Sequence, residues 1–100
     1  MARTKVVSEA VQTKVTLEDV QAAIKGETYI VLPNGRTTIC QLTLDNGFTV
    51  EGQSSCVHQE NFHLQLGREY AREDAEKKVW MLLGFRLADK LANKLAGTGQ

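Results

Sequence analysis

Two Asn-Gly dipeptides, Asn34-Gly35 and Asn46-Gly47, constrain the fold of this 100-residue chain more than any other feature. A type I′ hairpin turn needs positive φ at both central residues, and Asn-Gly supplies it at low steric cost. Strand-like runs flank both dipeptides: Glu27–Leu32 before the first, Thr37–Leu44 between them and Phe48–Gln53 after the second. In the middle run Cys40, Leu42 and Leu44 share one side, while Thr37, Ile39, Gln41 and Thr43 share the other. Phe48 and Val50 alternate with Thr49 and Glu51 in the third. The pattern predicts an antiparallel meander with one buried face and one semi-polar face.

Helical signals stand on both sides of the meander. Thr16 is a good N-cap, Glu18 and Asp19 place negative charge in the first turn, and Val15 and Val20 hold the two positions of a hydrophobic staple. Leu17, Val20, Ala23 and Ile24 form one apolar stripe, and Gly26 is expected to end the helix with positive φ. Ser54–Glu60 reads as irregular, with Asn61 as the cap of the next helix. Leu64, Gly67, Ala71, Ala75, Val79 and Leu82 recur at helical spacing, and Leu83, Leu87, Leu91 and Leu95 make a second stripe. Gly84 lies at the junction, which predicts a kink or short break. The expected architecture is α+β: a short N-terminal helix, a three-stranded antiparallel β-meander and two C-terminal helices packed on one face of the sheet. Residues 1–14 are expected to form a flexible N-terminal arm, 15–96 a single domain and 97–100 a frayed tail.

Composition narrows the function classes. Twelve basic and twelve acidic side chains give a formal net charge of zero, evenly spread along the chain, which argues against a strongly basic nucleic-acid wrapper. No apolar run approaches the roughly 18 residues of a membrane helix, and residues 1–15 lack the apolar core of a secretion signal. Two cysteines are too few for a disulfide scaffold and suit a reducing compartment.

Among the reactive side chains, Cys40, Cys56, His58 and His63 lack the close cysteine pair with which a structural zinc site begins, so no metal is expected. Cys56 and His58 lack a third orienting group for nucleophilic catalysis. No phosphate loop, dinucleotide fingerprint, nucleophile elbow or metalloprotease helix is present, so neither an enzyme nor a cofactor is expected. Glu69, Glu73, Asp74 and Glu76 alternate with basic residues as on a solvated helix face. The candidate binding group is cationic: Arg68 and Arg72, one turn apart, beside Ser54, Ser55 and the Asn61 cap, with Tyr70 and Phe62 as an aromatic wall. Against it stands the plainer reading in which Arg72 pairs with Glu69 or Glu76. Trp80, Leu83, Phe85, Leu87 and Leu91 offer more apolar surface than a small sheet covers, and are the candidate interface of a homo-oligomer.

A longer pattern joins these pieces. Cys-Gln-Leu-Thr-Leu-Asp-Asn-Gly-Phe-Thr-Val-Glu-Gly at 40–52 is followed by Ser-Ser-Cys-Val at 54–57, then Asn61-Phe62 and Leu66-Gly67-Arg68. Ala71-Arg72, Ala75, Lys78-Val79-Trp80 and Gly84-Phe85 complete it. Over about residues 15–92 this resembles the small tailed-phage family named after phage genes forty-nine and sixty-six. His58-Gln59 replaces an Asp-Pro of that pattern, and Met81-Leu82 a stretch that often carries Pro after the Trp. The resemblance implies a phage-encoded accessory protein acting in the host bacterial cytoplasm, and implies no mechanism. The expected function is non-enzymatic binding that interferes with a host component, by sequestering a nucleotide-like signal as counter-defence or by occluding a host protein. The alternative is a nucleic-acid-binding accessory factor in phage DNA metabolism, which the neutral charge disfavours, and a virion component is a further possibility.

Overall fold

The computed structural model describes residues 12–98. Helix α1 spans Leu17–Ala23, strands β1, β2 and β3 span Ile24–Val31, Thr37–Leu44 and Thr49–Ser55, a 3-10 turn covers Gln59–Asn61, and helix α2 runs from Leu64 to Thr98. The expected arm at 1–14 lies outside the described residues except for its last three. Of these, Gln12 donates from Nε2 to the Lys14 carbonyl and to Asp19. The tail lies outside from residue 99, and α2 continues through residues 97 and 98, where fraying is expected.

Thr16 caps α1 as the sequence predicts. Its hydroxyl accepts from the Asp19 amide at 3.2 Å, and the Asp19 carboxylate accepts from the Thr16 amide at 2.9 Å. The bonds donated to its carboxylate by the Thr16 amide and by Gln12 hold the Asp19 carboxyl below the usual carboxylate range. The end of the helix differs from expectation. Ile24 already has extended backbone and pairs with Leu44, Lys25 is the extra residue at a slip of register, and Gly26 pairs with Thr43 instead of ending the helix with positive φ. Pairing with β2 captures the chain before glycine is reached.

The three strands form an antiparallel sheet in the order β1-β2-β3. Both turns fall where the Asn-Gly pairs place them, but not as type I′ turns. Among the described residues only Gly35 and Gly47 have positive φ, at 69° and 89°, and both asparagines keep negative φ. Leu44 and Phe48 close a three-residue loop, with Gly47 donating back to the Leu44 carbonyl at 2.9 Å. This is a turn followed by a glycine bulge, the next commonest hairpin solution. In the first turn the Asn34 side-chain oxygen accepts from the amides of Arg36 and Thr37, so its asparagine is used for side-chain bonding rather than for left-handed backbone.

Helix α2 covers the face carrying Cys40, Leu42, Leu44 and Val50, all buried. The approach is closest at Gly52. A Cβ there would stand 2.1 Å from the Ala75 amide nitrogen and 2.4 Å from the Ala71 carbonyl oxygen. Along α2 the residues facing inward at steps of four grow in size: Gly67, Ala71, Ala75, Val79, Leu83. The helix therefore lies against the sheet at its N-terminal half, and bulkier side chains fill the space beyond, where α1 contributes Val20 and Ala23.

The expected break at Gly84 is absent: α2 is one continuous 35-residue helix. A glycine inside a helix costs about 1 kcal/mol relative to alanine, too little to interrupt hydrogen bonding sustained on both sides. The two apolar stripes are also one ladder, since Leu83 follows Val79 by four. At about 100° per residue each step of four advances some 40° around the helix. The ladder therefore faces the sheet at Ala71–Val79 and has turned away from it by Leu91. The projecting helix gives the molecule extents of 61 × 30 × 21 Å.

Because backbone, not side chain, opposes a Cβ at position 52, Gly52→Ala should destabilise the fold by about 3 kcal/mol, a fall in Tm of roughly 10–20 °C. Thermal unfolding followed by circular dichroism checks this.

Candidate functional site

At one end of the sheet, the first hairpin turn, the end of β3, the 3-10 turn and the start of α2 converge. Between them lies a pocket of about 160 Å³, lined by Ser54, Ser55, Cys56, Asn61, Phe62, His63, Leu66, Gly67 and Tyr70. Each element is fixed by local hydrogen bonds. The Ser55 hydroxyl bonds that of Thr37 across the strands. His58 Nδ1 accepts from the Glu60 amide at 3.1 Å and starts the 3-10 turn. His63 Nδ1 accepts from the Leu66 amide at 3.2 Å at the start of α2, so His63 is the cap expected of Asn61. Asn61 ends the 3-10 turn two residues earlier. The seven-residue walk from Cys56 to the helix is thus punctuated by two imidazoles where hydroxyl or amide side chains are the usual caps.

Gly67 sets the depth of the pocket. A Cβ there would stand 2.6 Å from Thr38 Oγ1 and 3.7 Å from the Phe62 ring. Thr38 is fully buried on β2, and its hydroxyl has no hydrogen-bond partner. Gln59 packs over Gly35, tying the first hairpin turn to the 3-10 turn.

No arginine, lysine or carboxylate lines the pocket, and one cation, Arg36, is held against the backbone of its wall residue Cys56. Its guanidinium Nη1 donates to the Cys56 carbonyl at 3.1 Å, and the Cys56 amide donates to the Arg36 carbonyl at 3.0 Å. Among the described residues the ion pairs are those of Arg72 and Arg86, so Arg36 has no carboxylate partner there. Sequence reading missed Arg36, although the signal was present. Thr37 pairs with Ser55, so the preceding residue, Arg36, stands opposite Cys56.

Of the candidate anion contacts, Ser54, Ser55, Asn61 and Tyr70 meet at this pocket, together with Phe62. Arg68 and Arg72 do not join them, because they occupy the other flank of α2, over β1. Arg72 is ion-paired with Glu27 of β1 and, at 2.7 Å, with Glu76 one turn on. Partial burial works against its charge, but the bonds to Glu76 and Tyr29 and the field of Glu27 outweigh it and raise its pKa above the ordinary arginine value. Arg68 lies 5.3 Å over the Tyr29 ring. Burial, with the bond donated to Glu27 at 3.0 Å, pushes the Tyr29 phenol up to about 12. These arginines clamp helix to edge strand. On the opposite flank Asp74 performs the matching service for β3, accepting from the Gln53 amide at 2.9 Å.

The candidate interface residues also divide. Leu83 belongs to the core. Leu87 lines a second pocket of about 210 Å³ between α1 and α2, whose walls include Val15, Ala23, Asp45 and Arg86. Leu91 is half-buried. Trp80 and Phe85 are exposed.

Cys56 donates from its thiol to the His58 carbonyl at 3.2 Å rather than to an imidazole. Cys40 is buried under α2, and desolvation raises its thiol pKa. Among the described residues no three histidine, cysteine or acidic side chains gather as a metal site. A chromogenic disulfide reagent should therefore titrate one thiol per native chain, that of Cys56, and the second only in denaturant. Two thiols reacting together in the native protein would contradict the placement of Cys40.

Three comparisons with known proteins bear on identity. Neither the curated proteins nor the solved structures contain a match. The model of the phage protein (N4 Gp49/phage Sf6 gene 66) family matches residues 15–91, from the residue before the Thr16 cap to the outer ladder of α2. That span holds the sheet, the pocket and the arginine clamp, and the chain belongs to this phage protein family.

Proposed function

We propose that the protein is a non-enzymatic phage accessory protein that binds a small nucleotide-like ligand in the pocket beside Phe62 and Tyr70. By sequestering it in the host cytoplasm, the protein interferes with a host component. The observation that carries this reading is the combination of aromatic wall, neutral hydrogen-bonding walls and a cation without a carboxylate partner among the described residues, Arg36, bonded to the wall residue Cys56.

The volume is that of one flat ring system, since a cavity of about 150 Å³ accommodates benzene. Stacking on an aromatic side chain stabilises a bound base by about 1–3 kcal/mol. Ser54, Ser55, Asn61 and His63 supply neutral donors and acceptors for a base edge. A purely apolar side chain from a host protein would leave those groups dry and unpaired, at about 1–3 kcal/mol each. That cost favours sequestration of a small ligand over occlusion of a protein. Arg36 retains N–H donors for a phosphate after its bond to Cys56. The thiol bonded to a carbonyl, and two imidazoles accepting from backbone amides, support a role without catalysis.

Native mass spectrometry and calorimetry with adenosine monophosphate, guanosine monophosphate and a cyclic dinucleotide test the proposal. One of these should bind, and Arg36→Ala or Tyr70→Ala should weaken it at least about tenfold, or 1.4 kcal/mol. Arg68→Ala should leave affinity within about twofold. Loss of binding in Arg68→Ala but not in Arg36→Ala would overturn the assignment, as would no binding by any of the three.

A further inference from the structure

Beyond Val79 the inward side of α2 still carries Leu82 and Leu83, and past them its amphipathic character inverts. Trp80, Met81, Gly84, Ala88 and Leu91 lie on the side of the helix away from the direction of Ala75 and Val79, at about 100° per residue. Arg86, Asp89, Lys90 and Asn93 occupy the side toward the domain, where Arg86 reaches Asp45 in the second hairpin turn. A helix serving only its own domain would carry the opposite pattern. Trp80, Met81 and Phe85 are 38 %, 70 % and 73 % exposed. At roughly 200 Å² per large side chain these three alone leave on the order of 350 Å² of apolar surface.

Gly84 identifies what kind of surface this is. Its φ is not positive, and a Cβ built there would have nothing within 4 Å. Neither backbone conformation nor packing within the chain calls for glycine at a position where it weakens the helix. Close approach of a second backbone does call for it.

We infer that α2 packs antiparallel against α2 of a second copy of this chain, with the two-fold axis passing beside Gly84. About that axis residues equidistant from Gly84 meet each other, so Trp80 of one copy stands on Ala88 of the other, a large side chain against a small one in both directions. Lys77 lies equidistant with Leu91 and lays its stem along it. Charge fixes the orientation. A parallel pair sets Lys77 and Lys78 beside the same residues of the partner. The antiparallel pair places the two Lys77 residues about 21 Å apart, beyond the Debye length of about 8–10 Å. Between Lys78 and Arg86 the chain carries no charge, and its zero net charge adds no repulsion between copies. Ala88, Leu91 and Ala92 extend the face over four turns, toward the roughly 800 Å² per partner of a stable interface.

Sedimentation of the full chain should give twice its 11.1 kDa mass, and Ala88→Glu should return it to monomer with unchanged helical circular dichroism. In a Cys56→Ser background, Gly84→Cys should form an intermolecular disulfide on oxidation and Lys77→Cys should not. Cross-linking at both positions would mean a parallel pair and overturn the arrangement. A monomeric wild-type chain, or a dimer indifferent to Ala88→Glu, would overturn the interface itself.

Discussion

The contact of α2 with the sheet at Gly52 governs the rest of the molecule. With backbone rather than side chain between them, strand and helix touch where a single methyl group has no room. Gly67, Ala71 and Ala75 let the first four turns of α2 lie flat on β2 and β3, and valine and leucine then fill the widening gap. From that one approach follow the depth of the pocket at Gly67, the burial of Cys40 and Leu42, and the departure of the helix from the sheet toward its C-terminus. The flanking clamps act in the same sense. Arg72 with Glu27 and Glu76 holds one side, and Asp74 on the edge of β3 holds the other. Both are exposed enough that each adds modestly to stability, and their effect is to fix the angle at which the helix crosses.

The two ends of α2 consequently do different things. At its start, strand register and turn chemistry bring four segments together around neutral groups and one arginine without a carboxylate partner among the described residues. Past Val79 it has run off its own sheet and presents an apolar face outward. A small domain with so little interior leaves much of its surface, at both ends of α2, unburied.

Much of this was legible in the sequence. The Thr16 cap, the boundaries of β2 and the alternation of Cys40, Leu42 and Leu44 follow from local rules with no competing signal. The errors share a cause, in that a local preference met a tertiary one. Gly26 can end a helix, but β2 pairs with Ile24 first. Asn34 can adopt positive φ, but its side chain is worth more as an acceptor for two amides. Gly84 weakens a helix, yet neighbouring turns carry through it. The candidate pocket was half legible. Ser54, Ser55, Asn61 and Tyr70 meet because sequence proximity survives folding. Arg68 and Arg72 lie apart from Tyr70 because residues two apart on a helix point to different flanks, and Arg36 was overlooked because its neighbour is fixed by hairpin register across twenty residues.

Hydrogen–deuterium exchange resolved along α2 tests the governing contact most directly. Slowest exchange through Ala71–Val79, with protection passing Gly84 without a step, is the predicted profile for one helix anchored at Gly52. A sharp rise in exchange beginning at Gly84, or faster exchange at Ala71–Ala75 than beyond Val79, would contradict it.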